Sequence, residues 1–261
     1  STRTRAELFA QAQGREVLLA PVLSPAELLQ FEHLSERGFW HTVEDPELGT
    51  VVAPGDWVKL GSGALAPAAP PPRLGADTER IRAEQRSPVA PTGLLATTPR
   101  GLPLEGLKVL DTTWVYAGPF VTRLLADFGA TVIKVEGPSR FDASRSGGGA
   151  LKDDLGPDAS IQYGTLNAGK LGVTLDLNVD EGRAVLRDLV EWADVYVESY
   201  TPGTMENWNL GYDVLKEINP QLIMLSTSLM GQTGQLATFA GFGNLAGAIT
   251  GFYEVTGWGD R

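Results

Sequence analysis

From Leu107 onward, short runs of β-branched and aliphatic residues alternate with longer stretches whose apolar residues recur at helical spacing. That alternation constrains the fold more than any other feature of the chain. Strands separated by helices of this length cannot pair as hairpins, and they imply a mostly parallel sheet with right-handed crossovers. The strand readings are 107–110, 131–135, 173–175, 194–197 and 222–225. Between them, Phe120–Phe128, Asp180–Trp192 and Tyr212–Ile218 read as helices, and Asp180 and Glu181 suit the positive end of the second. Residues 137–160 are rich in Gly, Ser and Asp and read as a long loop; 239–252 are small and apolar and read as a buried helix.

The first 85 residues have a different texture. Residues 4–13 and 24–36 read as helices, the second opened by the cap Ser24-Pro25-Ala26-Glu27. Val17–Val22 can be a strand, and 49–52 and 57–60 read as two strands joined by a turn at Pro54-Gly55. Residues 64–72 form an extended Pro/Ala linker, Asp77–Arg86 a short helix, and 87–103 a second tether. The domains expected are 1–85, a linker over 86–103, and an α/β unit over 104–261.

A net charge of −11 argues against nucleic acid and against an anionic membrane as partner. It leaves room for a small anion, because backbone N–H groups at helix N-termini bind anions whatever the overall charge. The absence of cysteine removes disulfides, thiolate metal sites and Cys nucleophiles, and fits a reducing cytoplasm. No stretch reaches the roughly 18 consecutive apolar residues of a membrane span, and no signal-peptide core opens the chain. His33 and His41 lack metal-ligand spacing and read as packing or surface residues.

Ligand positions in such a sheet are the strand-to-helix turns at its carboxyl edge. The first is Asp111–Pro119, where Gly118-Pro119 opens a helix; it is not a GxGxxG turn, and an ordinary connection is the bland alternative. Asn167-Ala168-Gly169-Lys170 only superficially suggests a phosphate loop. Glu198–Gly203 follows a strand, with Thr201 placed to cap a helix that begins at Pro202. Asp142, Asp153, Asp154 and Asp158 read as a solvated acidic loop, and no metal site is expected.

Three blocks in order carry a resemblance: LEGLKVLDTTWVYAGPFVTRLLADFGATVIKVEGP at 104–138, the stretch from LNAGKLGVTLDLN to LSTSLMGQTG at 166–234, and GFGNLAGAITGFYEVTGW at 241–258. Together they resemble the class III (CaiB/BaiF) acyl-CoA transferases. The front piece resembles the closing part of the same family, through EVLLAPVLSPAELLQFEHLSERGFW, DPELGTVVAPGDWVKLG and APPPRLGADTERI. The resemblance implies the end of one transferase copy, a linker, and the start of a second, cut from a longer tandem-fused polypeptide. It implies a Rossmann-like, mostly parallel sheet preceded by a small α+β tail segment, normally in an interlocked dimer or with a partner copy.

The chemistry implied is CoA transfer between an acyl-CoA and a carboxylic acid acceptor in the cytoplasm, with CoA as substrate and no permanent cofactor. An Asp carboxylate would attack the thioester to give a mixed anhydride, the thiolate would return, and the acceptor acid would collect the CoA. That Asp is expected beyond Arg261, so no catalytic residue is assigned here, and Asp260 is not given the role. By position the resemblance assigns CoA contacts to Val115, Tyr116 and Ala117, to Leu175, Asp176, Leu177 and Asn178, and to Ser199, Tyr200 and Thr201. The sequence departs from the family at Tyr116 and Ser199, and at Gly137, Asn207 and Ala240, where cations are common; lost cations weaken a phosphate grip. An α-methylacyl-CoA racemase-like enzyme and a non-catalytic partner copy are the alternatives.

Overall fold

The computed structural model describes residues 2–15, 17–63, 65, 69–84, 101–138, 141–146 and 153–256, without the side chains of 153–155. These fall into two compact units: 1–98 with 233–236 and 242–261, and 99–232 with 237–241.

The first unit opens with α1 (Arg5–Gln13), α2 (Pro25–Leu29) and α3 (Glu32–Glu36). Thr4 with Glu7, and Ser24 with Glu27, form complete capping boxes at the first two. The single helix expected over 24–36 is two, because Phe31 is extended and serves as the N-cap of α3. Residues 17–22 form no strand: Pro21 has no N–H to give, and no described strand pairs with the segment.

β1 (Trp40–Asp45) and β2 (Gly49–Pro54) form an antiparallel hairpin, so the partner of 49–52 lies before it, not after it at 57–60. The turn is set by Asp45, whose Oδ1 accepts the N–H groups of Glu47 and Leu48, each at 2.9 Å. Leu60 makes only an isolated bridge to Gly63. The helix expected at 77–86 is α4 (Thr78–Ala83); Gln85, Arg86 and most of the expected tether lie outside the described residues.

The second unit is built on five strands: β3 (Lys108–Thr112), β4 (Thr131–Glu136), β5 (Leu171–Thr174), β6 (Val195–Glu198) and β7 (Ile223–Ser226). Their order is β5-β4-β3-β6-β7, and every pairing is parallel. The helices are α5 (Ala117–Asp127), α6 (Ile161–Asn167), α7 (Asp180–Trp192), α8 (Thr204–Asn207) and α9 (Tyr212–Ile218). α6 went unseen in the sequence, and the helix expected to begin at Pro202 is α8, which starts two residues later; α6 lies next to the Gly/Ser/Asp-rich stretch, where two 3-10 turns, Ala143–Ser146 and Asp153–Ala159, also occur.

Period-2 alternation along β3 divides the core. Val109 packs with Ala130, Val132 and Val197, beside Leu125 and Ala126 of α5. Leu110 packs with Leu186 and Val190 of α7 and Leu215 of α9. Strands covered on both faces read as continuous apolar runs, which is why this unit was legible.

Residues 239–252 are not one buried helix. α10 (Gly243–Ile249) and α11 (Phe252–Val255) are separated by a turn, and of their residues only Ala248 and Ile249 are buried. Both helices belong to the first unit, where Leu23 N–H donates to Ala248 O at 3.0 Å. His33 is buried in the same unit and accepts Leu236 N–H on Nδ1 at 3.1 Å, a packing role.

Candidate functional site

From β3 the chain runs through β4 to β5 on one side, then crosses to β6 and β7 on the other. The reversal lies between β3 and β6, and a crevice opens at the carboxyl ends of two such strands. Those ends carry Thr113–Ala117 and Ser199–Gly203. They are tied together: Trp114 N–H donates to Ser199 Oγ at 2.8 Å. Two of the three expected contact groups therefore meet at the switch point. The third, 175–178, follows β5, two strands away, which places it about 10 Å along the same edge.

The first loop owes its shape to buried charge. Asp111, the fourth residue of β3, is fully buried. Its carboxylate accepts Thr113 N–H (2.8 Å), Thr113 Oγ1 (2.6 Å), Thr122 Oγ1 (2.6 Å) and Lys170 Nζ (2.9 Å). Burial alone would raise its pKa; Lys134 and Lys170, helped by the two hydroxyls, outweigh that and hold the carboxyl below its ordinary value. Lys170 Nζ also donates to Pro119 O, Thr122 Oγ1 and Asn167 Oδ1, at 2.8–2.9 Å. Burial holds the Lys170 ammonium below its ordinary pKa, an effect that Asp111 offsets only in part. An all-oxygen shell favours the charged pair. Lys170 is thus spent on Asp111, not held out for a phosphate.

Lys134, in the middle of β4, donates to Thr113 O and lies 3.4 Å from Asp142 Oδ2. Asp142 is buried, not solvated as the acidic-loop reading had it. It accepts Val115 N–H, and Val115 sits at φ +68°. A β-branched residue in the left-handed region costs about 1–3 kcal/mol, and surrounding bonds must hold it there. Tyr116 follows as the N-cap of α5 and places no side-chain hydrogen bond on the first turn. Pro119 has no N–H, so the first-turn donors are those of Ala117 and Gly118.

The expected contact residues divide in kind. Tyr116 and Ala117 are exposed at the crevice. Leu177 belongs to the apolar core and Leu175 packs against it. Asp176 and Asn178 satisfy each other, Asn178 donating to Asp176 Oδ1 from N (3.0 Å) and Nδ2 (2.9 Å). Tyr200 is half-buried, edge-on to Trp208 at 5.1 Å. Thr201 does not cap a helix at Pro202 with its side chain: α8 starts at Thr204 with Gly203 as N-cap at φ +91°, and Thr201 meets it through its carbonyl, which accepts Thr204 N–H at 3.0 Å.

Ser199, Tyr200, Thr201 and Pro202 line an open cleft of about 120 Å³, together with Ser228, Leu229, Ala237, Phe239, Ala240 and Gly241. No lysine or arginine is among these residues, and Ala240 is one of the positions where a cation was anticipated. Asn207 is exposed on α8, and Gly137 directly follows β4.

Two further carboxyls flank the site. Glu198 ends β6 and accepts Tyr200 N–H at 2.7 Å; burial pushes its pKa up, with Glu206 adding, against hydrogen bonds from Ser226 and Tyr200. Glu136 ends β4. Burial would raise it, but Arg145 Nε and Nη2 (2.9 and 2.7 Å), Tyr163 Oη (2.6 Å) and Asp142 N–H (2.9 Å) hold it at about 2. A depressed carboxyl stabilises the fold above its unfolded value near 4.5 and loses that contribution as pH falls toward 2. Glu136→Gln should therefore lower stability at pH 7 and flatten its decline between about pH 4.5 and 2. Urea midpoints across that window check this; parallel curves for the two proteins would refute it.

Sequence reasoning missed Asp111, Lys134 and Lys170 as a unit. One signal existed: a lysine in the β-branched run Thr131–Val135 must be paired if the strand is central. Among the described residues no helix is long and apolar enough to cross a membrane.

Comparison with known proteins agrees with this architecture. The family model described as CoA-transferase family III matches residues 1–78 and 104–261. The succinyl-CoA–D-citramalate CoA-transferase of Chloroflexus aurantiacus is 40% identical over 159 residues, which cover 61% of this chain and 39% of that protein. A probable CoA-transferase of Mycobacterium tuberculosis is 32% identical over 256 residues, covering 97% of this chain and 31% of its own. The chain thus spans well under half the length of these curated relatives. The crystal structure of a CaiB/BaiF family protein from Brucella suis superposes with a TM-score of 0.57 at 37% identity, covering 62% of this chain and 43% of that one. On the match over both blocks, and on the superposition with a CaiB/BaiF family protein of known structure, this chain belongs to CoA-transferase family III.

Proposed function

We propose that this chain supplies the CoA-binding part of an enzyme that moves CoA from an acyl-CoA to a carboxylic acid. The observation that carries the reading is the meeting of 113–117 and 199–203 at the switch point of a family III sheet. CoA lies along the carboxyl edge, from the crevice beside Val115, Tyr116, Ala117, Ser199, Tyr200 and Thr201 toward Leu175–Asn178. Leu175 and Leu177 act there through backbone and packing. The nucleophile is an Asp outside this chain: its carboxylate displaces the CoA thiolate to form a mixed anhydride with the acyl group, the thiolate then attacks the aspartyl carbonyl to release the donor acid and leave an aspartyl-CoA thioester, and the acceptor carboxylate takes the CoA by the same two steps in reverse, which frees the Asp. The acceptor is a dicarboxylic acid, the chemistry named in the relative that acts on D-citramalate.

The protein carries two copies, this chain running from the end of one into the start of the next. The two-block family match, and a relative that aligns across the junction over 97% of this chain, support that organisation. A second reading, that the later copy is a non-catalytic partner, is favoured by the cleft without a cation beside Ala240.

The test is exchange in the full-length protein, with succinyl-CoA and radiolabelled D-citramalate, malate and glutarate as acceptors. Label should pass into an acyl-CoA, and Asp→Ala at the aligned position of the later copy should remove at least half the rate. Loss only on changing the first copy selects the partner reading. No transfer to any acceptor, with α-proton exchange of a branched acyl-CoA in deuterated water instead, overturns the transferase reading for a racemase.

A further inference from the structure

The loop 113–116 has three successive N–H groups held by three carboxylate or hydroxyl acceptors. Thr113 gives to Asp111 on its own strand and Trp114 to Ser199 beyond β6, while Val115 gives to Asp142 beyond β4. The third bond carries the strained residue. Val115 N–H lies 3.1 and 3.2 Å from the two oxygens of Asp142, a side chain with 1% exposure. Asp142 is in turn fixed on every side. Its Oδ1 accepts Ser144 N–H and Oγ at 2.9 and 2.8 Å, its Oδ2 faces Lys134, and its own N–H donates to Glu136.

We propose that Asp142 is a positioning residue: it holds Val115 in the left-handed region and so sets Tyr116, Ala117 and the start of α5 at the mouth of the crevice. The inference rests on the reading that 115–117 touch CoA. It adds a residue from the loop after β4, which the family resemblance did not assign to the site. The competing account is that Asp142 only neutralises Lys134. Glycine separates the two accounts, because at position 115 it adopts positive φ without steric cost and needs no clamp, whereas it does nothing for an unpaired lysine.

The experiment is CoA binding to the full-length protein by isothermal titration, with thermal unfolding recorded for every variant. Asp142→Ala should raise Kd about tenfold or more, since small misplacements of a binding loop are costly. Asp142→Asn, which keeps one oxygen for Val115 N–H, should raise it less. Adding Val115→Gly to Asp142→Ala should restore most of the lost affinity while leaving the loss of thermal stability in place. If Asp142→Ala does not fold, Asp142→Asn with and without Val115→Gly makes the same comparison. Ala117→Trp, which fills the loop's exposed end, should abolish binding. If Ala117→Trp abolishes binding but Asp142→Ala binds as wild type, or the glycine gives no recovery, Asp142 is not a positioning residue. If Ala117→Trp binds CoA normally, it is the reading of 115–117 as a CoA loop that has failed, and the inference falls with it.

Discussion

Lys170→Met should cost the second unit about 3–5 kcal/mol of stability, the loss usual when one partner of a buried ion pair is removed. Four oxygens surround Lys170 Nζ within 2.9 Å, and each of them loses a donor on substitution. Lys134 is a poor substitute, since it stands 3.9 Å from Asp111 and is already bonded to Thr113 O. Asp111 would keep its two threonine hydroxyls but lose the nearer of its two countercharges. In a domain of 150–250 residues each kcal/mol moves Tm by about 2–4 °C. The double variant Asp111→Leu, Lys170→Met should recover part of the loss, because a buried pair replaced by apolar groups of similar volume is far less harmful than a broken one. Urea unfolding followed by circular dichroism measures both. A single variant within about 1 kcal/mol of wild type would falsify the charged, fully bonded pair.

That cluster also shows where reading the sequence stops. The helices α7 and α9 were legible to the residue, because an acidic first turn or an Asn-Pro stop bounds an amphipathic run. The parallel sheet was legible from apolar runs too uniform for one-sided strands. The hairpin was displaced because Pro54-Gly55 is a stronger turn signal than Asp45-Pro46-Glu47-Leu48, yet Asp45 supplies the actual turn through its own side chain. At the site, position along the chain placed 115–117 and 199–201 correctly at one edge. It could not show that Ser199 is an acceptor for Trp114, that Leu177 faces the core, or that Asp111 finds its partner 59 residues later. Such pairings depend on strand order, which local periodicity does not encode.

Two glycine-to-alanine changes on consecutive helices should act with opposite sign. Gly182 lies in the first turn of α7, where a Cβ would sit 2.0 Å from Asp176 O and 2.7 Å from Asp176 C. The obstacle is backbone, so it cannot rotate away. α7 is pinned on its other turns by Leu186 and Val190, both fully buried, and the 175–178 loop is pinned by Leu177. Either the helix or the loop must give, and overpacking of this kind costs about 1–3 kcal/mol. Gly164 in α6 has open space where its Cβ would go, and alanine there should stabilise by about 0.5–1 kcal/mol through helix propensity and a less flexible unfolded chain. Helix propensity by itself would make both changes favourable, so the sign at Gly182 measures the close approach of α7 to the loop. Denaturation midpoints of the two variants decide it: a stabilised Gly182→Ala would refute the tight packing of α7 against Asp176. The same variant reports on the ligand, because displacing 175–178 should weaken CoA binding where Gly164→Ala leaves it unchanged.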